Sequence, residues 1–150
     1  MKKKEIFKII LSWIPALTVM VMIFCFSAQF SEDSAQTSAG ILEWIEKTFN
    51  ITINHEVLRK IAHACEFCAL GAMVSVGFLN TLKRPAPVAS LLFSVVYALS
   101  DEIHQIFVPG RACRAFDIFV DTCGAGAGII AFMILFYIIG KIKSRKNKTE

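Results

Sequence analysis

The chain has no basic stripe interleaved with aromatic residues. Its lysines stand mostly near the two ends, at Lys2, Lys3, Lys4 and Lys8 and again over 141–148, so the net charge of +4 excludes a nucleic-acid footprint. It also has no even set of cysteines. Five are present, at 25, 65, 68, 113 and 123, and an odd count argues against a disulfide scaffold. Cys65 and Cys68 form a CxxC inside an apolar run, but no second pair completes a zinc site, so they read as buried or interfacial thiols. Charged residues are scarce, at 19%, against 55% hydrophobic residues, which is the composition of a membrane protein. At the N-terminal end a retained span is expected rather than a removable signal peptide. The first apolar run exceeds the roughly 7–15 residues of a signal core. Phe26 occupies the place where a cleavage site after Ala28 needs a small residue, and Phe24 before Cys25 spoils a lipoprotein site.

What remains is a single domain over 1–150, all-α, expected as a polytopic membrane protein with a four-helix transmembrane bundle. The spans fall at about 6–28, 57–79, 88–108 and 115–139. Pro15 predicts a mild kink in the first. The polar stretch 27–38 ends that span, and 38–49 predicts a short extracytoplasmic helix with Ile41, Leu42, Trp44, Ile45 and Phe49 apolar. Such a helix either lies on the membrane surface or caps the bundle. The second span is rich in Ala, Gly and Ser, and the fourth carries Gly124 and Gly128 four residues apart, both patterns that let helices approach closely in lipid. Pro85 and Pro87 punctuate the loop before the third span, and Pro109–Arg114 is a tight turn before the fourth. The N-terminus, the 80–87 loop and the tail are basic and fall on one side of a four-span protein, which places both termini in the cytoplasm of a multi-pass cell-membrane protein.

The exception to this apolar plan is the outer end of the spans. Asp101, Glu102, His104 and Gln105 fall within five residues, before Pro109-Gly110-Arg111. Each intramembrane charge costs about 2.5–3.5 kcal/mol at mid-bilayer on insertion scales, so such a run needs partners, water or a task. Partners come from two other stretches: Arg59, Lys60, His63 and Glu66, and Arg114, Asp117 and Asp121. On a helical projection Arg59, His63 and Glu66 share an arc of about 60°, and Arg114, Asp117 and Asp121 one of about 80°. The four polar residues of the third span spread over about 160°. Glu66, Asp101 and Asp121 each fall about 10 Å from the outer helix ends. The inner halves are apolar, so the pattern predicts a polar pocket opening to the outer face.

These segments, His63-x-x-Glu66-Phe67, Asp101-Glu102-x-His104-Gln105-x-x-x-Pro109-Gly110-Arg111 and Asp117-x-x-x-Asp121-x-x-Gly124, resemble the signature of VanZ-like membrane proteins over about residues 10–140. Phe67 stands where many members have Tyr, which removes a hydroxyl donor. The resemblance implies a cell-envelope role, the founding member being associated with low-level resistance to the glycopeptide teicoplanin. It supplies no reaction and no cofactor.

Several functional readings stay open. In the first, acid–base chemistry acts on a membrane lipid, a lipid-linked cell-wall precursor or a glycopeptide. Catalytic candidates are Glu66, Asp101, Glu102, His104, Asp117 and Asp121, with Asp101 and His104 spaced to share a proton. Arg59, His63, Gln105, Arg111 and Arg114 are ligand-binding candidates, the arginines suiting a phosphate or carboxylate. No nucleophile motif accompanies them. In the second, the same groups only bind. In a third, His63, Glu66, His104 and Asp101 hold a divalent metal. The bland alternative is an ion-pair network that locks helices together, although buried pairs stabilise weakly. Proton-coupled transport fits least, because the charges stop in the outer half and no inverted repeat is evident.

Overall fold

Helix ends in this protein are written by a few residues. Asn54 caps one helix, its side-chain oxygen accepting from the Val57 N–H at 2.8 Å. Lys83 closes the same helix in the left-handed region, with φ 59°. Pro87 opens the next helix, where its missing N–H costs nothing. A further turn is set by Pro109 and Gly110: Gly110 takes φ 78° and the Arg111 N–H donates to the Val108 carbonyl at 3.1 Å.

The computed structural model describes residues 3–28, 31–111 and 113–147, without the side chains of 31–38 and 41. The side chain of Ile41 on the expected apolar face, and Lys2 and Lys148 of the basic ends, lie outside what is described. Five helices follow in order: α1 Lys3–Ser27, α2 Ser31–Phe49, α3 His55–Leu82, α4 Pro87–Gln105 and α5 Ala115–Lys146. No strand occurs among the described residues, so the chain is all-helical as expected.

Several boundaries differ from the sequence expectation: α1 begins at Lys3 rather than 6, α3 runs to Leu82 rather than 79, and α5 to Lys146 rather than 139. α2 begins at Ser31 rather than 38, because the Ser-Glu-Asp run that reads as a polar linker also suits the opening of a helix. α4 ends at Gln105 rather than 108, followed by single turns in which Ile106, Phe107 and Val108 each donate three residues back. The approaching Pro109 disfavours helix at the residue before it. α1 runs unbroken through Pro15.

By length and composition α1, α3 and α5 are able to cross a membrane. α4, at 19 residues, is apolar until its last turn, where Asp101, Glu102, His104 and Gln105 lower its hydropathy. Its polarity is turned inward, with Asp101, Glu102 and Gln105 buried and Val88, Leu92, Val96 and Ile103 exposed. Exposed large apolar residues cover the rest of the bundle too, among them Phe7, Val21, Phe119 and Tyr137. That inverts the soluble pattern and matches a lipid-facing surface.

α3 is the central helix. It packs most closely on α5, then on α1 and α4, while α2 touches mainly α3. The α3–α5 seam is backbone on backbone. A Cβ on Gly124 would strike the Ala64 carbonyl, one on Gly71 the Ala125 carbonyl, and one on Gly128 the Cys68 carbonyl. At the other end, Gly77 makes room for the Trp13 ring, which meets Phe78 edge-on at 5.2 Å and donates to Thr81 Oγ1 at 3.1 Å. Phe67, Leu70, Val74, Ala98 and Ile23 fill the middle of the bundle. The polar groups sit beyond this plug, at the end where α3 and α5 begin and α4 stops.

Candidate functional site

The last turn of α4 stands between two polar compartments. Its wide angular spread of side chains has a structural reason: α4 is packed on α1 at one flank and α5 at the other.

On the α1 flank, Asp101 is 3% exposed, and its Oδ2 accepts from Ser27 Oγ and from Gln105 Nε2, both at 2.9 Å. Its Oδ1 has no partner. The His104 ring lies over Phe24 at 4.4 Å, so Asp101 and His104 do not share the hydrogen bond that their spacing suggests. Glu66 faces the same region from α3, half-buried, with its Oε2 unmet. Deeper in, the Tyr97 hydroxyl donates to the Met20 carbonyl at 2.6 Å and fixes α4 against α1.

On the α5 flank, Arg59, Lys60, His63, Glu102, Gln105, Asp117 and Asp121 line a cleft of about 10 Å³, room for about one water. Glu102 Oε2 accepts from the backbone N–H of Arg114 at 2.9 Å. Arg114 is the N-cap residue of α5 and supplies no side-chain cap, so a carboxylate from another helix meets that helix start. Lys60 Nζ lies 3.4 Å from Asp117 Oδ1 and 4.6 Å above the centre of the Phe116 ring. His63 Nδ1 is 3.9 Å from Asp121 Oδ1. Asp121 is 1% exposed, and neither of its oxygens has a hydrogen bond. Farther out, Arg114 Nη1 stands 3.7 Å from Glu56 Oε1, both side chains exposed.

Arg111 bridges the two sides from the loop. Its Nη2 donates to the Phe26 carbonyl at 3.4 Å, while Nε and Nη1 are buried and unmet. Burial, reinforced by the nearby charge of Arg59, holds its pKa below the usual guanidinium value.

All eleven residues singled out in the sequence belong to this end of the bundle, but not as one set. Asp101, His104 and Glu66 fall toward α1; Arg59, His63, Glu102, Asp117 and Asp121 fall toward α5; Gln105, which donates to Asp101 and also lines the α5 cleft, joins the two. The ion pairs differ from those the sequence suggests. The charge pattern offers Arg59 to Glu66, and Arg111 or Arg114 to Asp117, Asp121 or Asp101; instead Lys60 meets Asp117, and Arg114 meets Glu56 rather than a buried acid. Two contributors escaped sequence reading: Ser27 and Phe24. Ser27 had a signal, since it is the first small polar residue after a long apolar run. Among the described residues no three of His, Cys, Asp and Glu converge as metal ligands, so the divalent-metal alternative finds no ligand set in this geometry.

A family model described as VanZ/LLP1 matches residues 12–137. The chain belongs to the VanZ/LLP1 family. The match spans α1 through most of α5 and so includes both compartments of the site. No curated protein matches the chain. No solved structure matches it either.

Proposed function

We propose that this VanZ/LLP1 protein crosses the cell membrane four times, through α1, α3, α4 and α5, with both termini cytoplasmic and α2 outside. At about 1.5 Å per residue, α4 is roughly 28 Å long, close to the hydrocarbon thickness. Its buried polar turn faces helices rather than lipid. The basic residues of the N-terminus, the 83–84 loop and the tail favour this orientation.

In that frame the polar end of the bundle lies in the outer leaflet. There it binds or acts on a membrane lipid or lipid-linked cell-wall precursor, and thereby contributes to tolerance of teicoplanin-type glycopeptides. The observation that carries the reading is the mismatch of unmet groups. Asp101, Asp121 and Glu66 hold buried acceptors without donors, while Arg111 holds buried donors without acceptors. A network built only to lock helices would pair them, because an unmet buried polar group is costly. Arg111 and Arg59 suit a phosphate or carboxylate at the mouth. The inner carboxylates suit hydroxyl, amine or water donors.

Mass spectrometry of envelope lipids and wall precursors tests this in cells carrying the wild type, no protein, or Asp101→Asn at equal membrane abundance. A lipid or precursor species that changes with the wild type and reverts with Asp101→Asn supports action at this site. Wild-type and empty cells with identical species and identical drug uptake would contradict it.

A further inference from the structure

At the opposite end of the bundle an open groove of about 570 Å³ runs between the 83–86 loop and the last turns of α5. Met133, Phe136 and Tyr137 form its apolar length. Pro85 closes one flank, and Lys141 stands at its end with its ammonium 6.0 Å from the Tyr137 ring centre. Gly140 is its floor, and a Cβ there would meet nothing within 4 Å. Ser144 and Arg145 continue the lining on α5 after Lys141, so the basic residues that line the groove follow its apolar stretch.

We infer that this groove seats one anionic glycerophospholipid, its acyl chain along Met133 and Phe136 and its phosphate at Lys141. Charge complementarity selects this occupant. The cytoplasmic leaflet is the negative one, and a groove that is apolar along its length and cationic at one end matches a lipid carrying a negative headgroup. A second protein helix would leave the ammonium at the rim without a partner. An aromatic hydroxyl beside the lysine suits the headgroup level, where Tyr is enriched. The choice of occupant rests on the proposed orientation, which puts this end at the cytoplasmic leaflet; the site itself is separate from the outer polar cluster, so lipid retention here and activity there are read independently.

The test uses the full-length protein in mixed micelles containing phosphatidylglycerol or phosphatidylcholine with identical acyl chains, with retained lipid counted by native mass spectrometry. The wild type should retain phosphatidylglycerol in preference. Lys141→Gln should cut that preference about fivefold, as expected for one basic residue at a membrane surface. Gly140→Leu should abolish retention by filling the floor. Gly126→Leu should leave it unchanged, since Gly126 is another α5 glycine whose added Cβ meets nothing. Equal retention of both lipids by the wild type, or a phosphatidylglycerol preference that survives both Lys141→Gln and Gly140→Leu, would overturn the assignment.

Discussion

Ser27 and Asp101, 74 residues apart in the chain, are joined by a 2.9 Å hydrogen bond, and both are buried. The bond ties the last turn of α1 to the polar turn of α4. It leaves Asp101 with one oxygen engaged twice and the other free. Ser27→Ala should therefore loosen Asp101 more than it destabilises the bundle. Hydrogen bonds between membrane helices average about 0.6 kcal/mol, so thermal unfolding in detergent should shift little. Function should fall more than stability does. A large loss of folded protein, with activity per folded molecule unchanged, would make the contact purely structural.

The α3–α5 seam makes a sharper stability prediction. Gly128→Ala places a Cβ against the Cys68 carbonyl, and neither backbone can yield as a flexible side chain would. Overpacking of this kind costs about 1–3 kcal/mol. Gly126→Ala, two residues earlier, points into open space and should be near neutral. Thermal unfolding of the two variants checks the difference. Equal midpoints would mean that the helices slide past the contact freely.

Topology has a chemical readout at Cys113. The residue lies in the loop between α4 and α5 and is exposed. An impermeant thiol reagent added to intact cells should modify it, and a phosphatase fused to the C-terminus should stay inactive. Partial desolvation, then the charge and hydrogen bond of Glu102, push the thiol above its ordinary value. The reactive thiolate is thus scarcer than usual at pH 8. Labelling should accelerate as pH rises through 9, and Glu102→Gln should quicken it at pH 8. An active C-terminal fusion would break the four-span scheme.

How far the sequence carried this account depended on the kind of signal. Apolar runs and prolines located α1, α3 and α5 closely, because lipid demands long uninterrupted helices. The small-residue pattern marked α3 and α5 as helices able to approach closely without naming their partners, and Gly124 and Gly128 lie where the two meet. Helical angles brought His63, Asp117 and Asp121 to one cleft. They did not reveal that Glu102 reaches the start of α5 while Asp101 reaches α1, because periodicity gives a direction on one helix and not its neighbour. Nor could spacing choose Lys60 as the partner of Asp117. That choice depends on the rotation of α3 against α5, which the glycine contacts set.

The central claim is that the outer polar cluster works on envelope molecules rather than merely holding helices. Asp101→Asn keeps the side chain's shape and removes its charge. The most direct measurement is tolerance of a susceptible Gram-positive host to a lipid-tailed glycopeptide and to an untailed one, with wild type and Asp101→Asn expressed at matched membrane abundance. The wild type should raise tolerance to the tailed drug more than to the untailed one, since the proposed leaflet-level site, about 10 Å below the surface, would meet acyl tails and lipid-linked precursors first. Asp101→Asn should remove that gain. Equal tolerance to both drugs, or a gain that survives Asp101→Asn at equal abundance, would contradict the claim.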